Sequence, residues 1–235
     1  MDFLETKYLY LGLMIFTITF PLIRSFEHRL VYYKRVQYIF PAVIGMMLIF
    51  IPWDVWFTEI GVWWFRDDYI TGARLFGLPL EEWSFFVCVP FACVFIYEAI
   101  RYYVKRDLLG GVAHYFFYGF GAILLVLAIV FSHRIYPLVT FSLTSIACFL
   151  LAYYRPAWIG RFLFMYLVSW LPFLLVNGVL TGNFTETPVV NYNPEHHIGT
   201  RITTIPVEDS VYSLLMLLMV VAIYEWNMKR KNVSF

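Results

Sequence analysis

Two pairs of adjacent carboxylates, Glu81-Glu82 and Glu208-Asp209, each follow a proline closely and open a long apolar run. Charge is costly beside such runs, so acids kept there have a task or a partner. Proton transfer suits them. Close carboxylates oppose one another's ionisation, and apolar surroundings act in the same direction. A carboxyl group that stays protonated near neutral pH can protonate a substrate, and an ionised one can remove a proton. The competing account is electrostatic, because acids in a first helical turn favour the positive end of the helix dipole. Neighbouring helical residues point about 100° apart, so one acid of each pair can face a cavity while the other faces a loop. Asp54, in Ile51-Pro52-Trp53-Asp54, is a third acid or a helper that hydrogen-bonds one. Which of Glu81, Glu82, Glu208 and Asp209 gives a proton and which takes one is open from sequence.

The two pairs are copies. A shift of 127 residues lays Pro79-Leu80-Glu81-Glu82 on Pro206-Val207-Glu208-Asp209 without a gap. The same shift lays Phe57-Thr58-Glu59 on Phe184-Thr185-Glu186, Gly72 on Gly199, Arg74 on Arg201, and Ile96-Tyr97-Glu98 on Ile223-Tyr224-Glu225. A copied unit with a retained acidic pair weakens the purely electrostatic account.

The elements that carry these acids are transmembrane helices. The chain has 235 residues, 61% hydrophobic and 14% charged, with a mean hydropathy of +0.71. A soluble domain carries about 25% charged residues. Seven apolar runs, near 8–23, 36–56, 80–100, 112–132, 136–154, 162–180 and 207–228, approach the roughly 20 residues a spanning helix needs. In a bilayer such runs are helices. The expected fold is therefore an all-α integral membrane domain over 1–235, with seven transmembrane helices. Repeat 1 covers about 1–106, a connecting fourth helix about 107–134, and repeat 2 about 135–235. Four helices separate equivalent elements, so the repeats run parallel about a pseudo-two-fold axis along the membrane normal. Both acidic pairs then lie at one depth, where a shared site can receive them.

Twelve of the 17 lysines and arginines fall after helices 1, 3 and 5 and in the C-terminal tail. The positive-inside rule puts that side in the cytoplasm and the N-terminus outside, in a multi-pass protein of the plasma membrane. Asp2 and Glu5 give the N-terminus no basic region, so a cleaved signal peptide is not expected. A net charge of +1 argues against a nucleic-acid partner.

Other residues read more plainly. Cys88, Cys93 and Cys148 lie in apolar runs without metal or disulfide spacing and are expected to pack. Glu98 and Glu225 belong at the cytoplasmic surface as structural acids. His196-His197 is the one histidine pair, expected in a loop without a metal role. Arg74 and Arg201 either brace their loops or hold one acid of each pair ionised. No G-x-G-x-x-G or Walker loop occurs, and helix 7 has no lysine before Lys229 for a retinal Schiff base. Trp53, Trp63, Trp64, Trp83, Phe85, Phe86 and Tyr212 cluster around the acids. Such aromatics form an interfacial belt or face a carbocation, which their π faces stabilise by about 2 kcal/mol or more when desolvated.

Pro79-Leu80-Glu81-Glu82-Trp83 with Phe85-Phe86, preceded by Gly61-Val62-Trp63-Trp64-Phe65, resembles the first half of the non-flavin membrane lycopene cyclases. Asn177-Gly178-Val179-Leu180-Thr181-Gly182, Asn191-Tyr192-Asn193-Pro194-Glu195 and Pro206-Val207-Glu208-Asp209 resemble the second half. One departure is Arg66-Asp67-Asp68, where an Asn-Pro-Glu-like string is expected. The resemblance implies an isomerase of carotenoid biosynthesis that closes the acyclic ends of lycopene into β-rings without a cofactor. It implies catalysis by Glu81, Glu82, Glu208, Asp209 and Asp54. The aromatic cluster, with Tyr192, Asn177, Arg74 and Arg201, then contacts substrate. Lycopene, other carotenoid intermediates and membrane lipid are the implied partners; contact with other carotenoid-pathway enzymes is left open. Two other functions compete: a carrier of small ions or lipids with paired carboxylates at the repeat interface, and a seven-helix sensor. The first lacks polar residues in mid-helix and the second lacks the retinal lysine.

Overall fold

A computed structural model describes residues 4–231; Asp2 lies outside them. Seven α-helices follow in order: α1 (Leu9–Arg24), α2 (Val36–Glu59), α3 (Leu80–Tyr103), α4 (Gly110–Val130), α5 (Ile135–Tyr154), α6 (Ile159–Leu180) and α7 (Val207–Arg230). The chain is an all-α, multi-pass membrane protein. Helices α2 to α7 are each long and apolar enough to cross a bilayer. Helix α1 has 16 residues, about 24 Å, and is shorter than the roughly 30 Å hydrocarbon core. Lys7 and Arg24 bracket it and limit its apolar length.

The two long loops contain short strands that the sequence did not suggest, because two or three residues leave no readable alternation. The α2–α3 loop forms β1 (Trp63–Phe65), β2 (Arg74–Leu75) and β3 (Leu78–Pro79); the α6–α7 loop forms β4 (Val190–Tyr192), β5 (Arg201–Ile202) and β6 (Ile205–Pro206). Every strand is displaced by 127 residues from its counterpart, as are α3 and α7. Strands β2–β3 and β5–β6 are hairpins. Gly72 and Gly199 precede them with φ of 90° and 92°, a left-handed backbone that only glycine adopts freely. That requirement accounts for the repeated glycine. Each hairpin is stitched to the helix after it: Leu80 N–H donates to Ala73 O at 3.0 Å, and Val207 N–H to Thr200 O at 3.2 Å.

Strands β1 and β4 join the halves. They pair antiparallel, with Trp63 opposite Tyr192, Trp64 opposite Asn191 and Phe65 opposite Val190. Trp64 and Asn191 are themselves counterparts. An antiparallel ladder centred on such a pair is what a two-fold axis between the halves produces.

Helices α2 and α7 pack closely: a Cβ on Gly45 would sit 3.0 Å from Ile223 Cδ1. Helix α4 packs on α5, where Ser145 donates to Gly121 O at 2.7 Å. At the end opposite the hairpins, Glu225 accepts from Tyr97 at 2.6 Å and pairs with Arg101 at 2.9 Å. Glu98 pairs with Arg101 and Arg35 at 3.7 and 3.8 Å. These two acids are engaged in ion pairs far from the acidic pairs; Glu98 is buried rather than at the surface where it was expected.

Candidate active site

Each acidic pair divides its labour. Pro79 and Pro206 cap α3 and α7, so both pairs fall in a first turn whose residues diverge by about 100°. Glu81 Oε1 accepts the Thr71 amide at 2.7 Å, and Glu208 Oε1 accepts the Ile198 amide at 2.6 Å. Thr71 and Ile198 are counterparts, so the same clamp occurs twice. Glu81 and Glu208, expected among the catalytic acids, thus tie the hairpin loops to the helices.

Glu82 and Asp209 turn inward to a chamber of about 70 Å³. Its lining includes Tyr10, Asp54, Trp63, Phe85, Tyr136, Asn177, Tyr192 and Tyr212, with no lysine or arginine. Glu82 Oε2 accepts from Tyr10 at 2.5 Å. Asp209 accepts from Tyr136 through Oδ1 and from Tyr192 through Oδ2, both at 2.7 Å. Asp54 Oδ1 accepts from the Trp63 indole at 2.7 Å; its Oδ2 is buried without a hydrogen-bond partner among the described residues. Burial first, then the Asp209 charge, hold the Tyr192 phenol well above its usual range, so it remains a donor.

Trp63 is the centre of an aromatic wall. Its ring lies 5.2 Å from Tyr136, 6.1 Å from Tyr192 and 6.2 Å from Tyr212. Trp53 supports Tyr212 at 5.0 Å from behind. Phe86 is buried against Phe50, 6.4 Å away. The lining rings give the chamber negative π faces, and the hydroxyls of Thr181 and Ser213 at its edge already donate to backbone carbonyls of their own helices.

Six residues expected to contact substrate do not line the chamber: Trp53 and Phe86, which stand behind its wall, and Trp64, Trp83, Arg74 and Arg201. Trp64 points outward from β1 and is exposed. Trp83 donates to Leu75 O at 3.2 Å and packs on Phe76, bracing the first hairpin. Arg74 binds Gly77 O at 3.0 Å and Asp67 at 2.8 Å; Arg201 binds Thr204 O at 2.5 Å. The two arginines brace equivalent hairpins, and neither lines the acid chamber. His197 is buried in the second loop. Burial, then Arg201 and Arg134, keep it below the usual imidazole range, and its Nδ1 accepts the Gly199 amide at 3.0 Å.

Tyr10 and Tyr136 were missed from sequence. They occupy the second positions of α1 and α5 and are 126 residues apart, one off the shift that aligns the acids. A gap-free comparison therefore hides them. An allowance of one residue would have shown a phenol at the start of the first helix of each repeat.

Fold and site define a class: a membrane-embedded helical protein with acids from two repeated units meeting in an aromatic chamber. The lycopene cyclase family model matches residues 7–100 and 133–227, one segment in each repeat, with all of α4 left out. The chain belongs to the lycopene cyclase family. Among curated proteins, a bifunctional lycopene cyclase/phytoene synthase from Podospora anserina is 38% identical over 45 residues. That alignment covers 19% of this chain and 8% of the relative's length. No solved structure matches.

Proposed function

We propose that the protein is a lycopene β-cyclase that closes the acyclic ends of lycopene by proton transfer alone, in the plasma membrane. One observation carries the reading. Glu82 and Asp209, one from each repeat, share a small aromatic chamber that has no cation in its lining and adjoins an apolar groove. This suits an uncharged polyene whose reaction passes through a carbocation.

Glu82 is assigned as the acid. One of its oxygens accepts Tyr10, which leaves the other to carry a proton. That proton goes to C2 of the terminal double bond and leaves a cation at C1. The C5–C6 π electrons form the C1–C6 bond, and the charge moves to C5. Asp209, with both oxygens accepting phenols, is assigned as the base that takes the C6 proton, leaving the C5–C6 double bond of the β-ring. Atoms and electrons balance as an isomerisation, and no redox partner is needed. Trp63, Tyr136, Tyr192 and Tyr212 surround the cation with π faces. Asp54 positions Trp63.

The test uses purified protein in vesicles with lycopene in heavy water. Over many turnovers each new ring should carry one deuterium at C2. Rings that form without deuterium would refute an exchangeable carboxyl donor; failure to form rings would refute the activity.

A further inference from the structure

An apolar groove of about 520 Å³ lies between α1 and α3 on one side and α6 and α7 on the other. It continues into the acid chamber, since Phe85, Asn177, Ser213 and Met216 line both. Its outer rim includes Phe16, Phe20 and Leu171, all exposed on the lipid-facing surface. Along α3 it runs from Phe85 to Ile96, about 16 Å at helical rise.

The two-fold pattern calls for a second groove beside α2 and α7. That route is filled. The counterpart of Ser213 is Phe86, which is buried against Phe50, and Phe50 in turn packs on Tyr212 at 5.0 Å. The counterpart of groove-lining Ile96 is Ile223, which lies against Gly45 of α2 so tightly that a Cβ there would sit 3.0 Å from it. A separate cavity beside α5 and α7, lined in part by Leu218 and Met219, shares no lining residue with the acid chamber.

The groove also selects its occupant. No charged residue lines it. The hydroxyls of Thr17, Ser169 and Ser213 donate to carbonyls of their own helices at 2.7, 2.8 and 2.9 Å. A phospholipid entering here would need a place for its headgroup, and neither the groove nor the chamber end has a lysine or arginine in its lining to receive phosphate. A hydrocarbon chain has no such requirement.

We propose that this groove is a one-sided lateral door that holds the acyclic remainder of the polyene while one end lies among the acids. The inference rests on the cyclase reading above. Ala92 lies in the groove wall, ten residues beyond Glu82 and so about 15 Å from it along the helix. Its counterpart Met219 faces the separate cavity.

The experiment compares Ala92→Phe, Ala92→Leu and Met219→Phe in lycopene-making cells at matched membrane levels. Ala92→Phe should slow lycopene loss at least tenfold, Ala92→Leu by an intermediate factor, and Met219→Phe by less than twofold. A second readout needs no turnover. Protein carrying Glu82→Gln should retain lycopene through detergent purification, and adding Ala92→Phe should lower that retention about tenfold. Lycopene conversion at the parental rate by Ala92→Phe, or equal retention with and without it, would overturn the door. If the parental protein makes no ring, the cyclase reading falls, and retention still decides whether the groove holds the polyene.

Discussion

Adjacent carboxylates of one sequence motif have different partners. Glu82 and Asp209 meet phenols in the chamber, whereas Glu81 and Glu208 meet backbone amides of the loops. Amide substitution separates these roles because it keeps volume and an acceptor oxygen but removes the transferable proton. Glu82→Gln and Asp209→Asn are each expected to lower cyclisation by about 10²–10⁴, the usual effect of a lost acid or base. The measure is carotenoid conversion at equal membrane protein, and conversion above one tenth of the parental rate in either variant would remove that residue from catalysis. Tyr192→Phe removes one of two donors to Asp209. That donor holds the carboxylate in place rather than carrying the proton, so the variant should lower conversion by clearly less than Asp209→Asn does. The sequence showed four candidate acids but not this division, which depends on where Thr71 and Ile198 place their amides.

Helices α3 and α7 share a construction: a proline cap, a glycine-led hairpin folded back on the helix, and a first glutamate that holds the loop by an amide. Thr71 and Ile198 supply that amide at the same position of each repeat. Glu81→Gln and Glu208→Gln keep the acceptor and should leave conversion within about threefold of the parental rate. Glu81→Leu and Glu208→Leu leave the amide without its acceptor, at a cost of about 1–3 kcal/mol, and should lower the amount of folded protein in the membrane. Loss of conversion in the two glutamine variants at normal membrane levels would return those residues to the chemistry. The helices were legible because every apolar run has one solution in lipid. The observed ends lie within about three residues of those expected, and α1 is the short one. Strands β1 to β6 were not legible, being too short to leave a pattern. Trp83, Arg74 and Arg201 were expected at the substrate from the resemblance, but Trp83 and Arg74 turn back to brace the first hairpin, and Arg201 braces the second while its guanidinium lies 5.8 Å from the centre of the Tyr192 ring.

The molecule pairs a two-fold frame with an asymmetric interior. The duplication was legible as identities at a fixed shift, and the ladder that joins the halves places Trp64 opposite its own counterpart. The interior breaks that symmetry where the copies differ: Tyr192 stands for Phe65, Asp54 for Thr181 and Phe86 for Ser213. The consequences of those differences became visible only when the helices were packed. Orientation remains a proposal from the basic residues, with the hairpins outside. A cytoplasm-dependent reporter fused after Phe235 should be active, and alkaline phosphatase at that position inactive; the reverse result would invert the site. The blocked second groove bears on kinetics. A chamber entered from one side has no way to pass a half-finished molecule across to a second mouth. On the proposed cyclase reading with one door, the enzyme is expected to be distributive: a one-ringed carotene leaves, diffuses in the bilayer and competes with fresh lycopene for the same entrance. Diluting enzyme and substrate into more lipid, compared at equal lycopene consumption, should leave the monocyclic fraction unchanged, because both competitors are diluted alike. Raising lycopene relative to enzyme should make monocyclic carotene accumulate first and delay any second ring, whereas two-ringed product appearing without that lag would show that the molecule is never released.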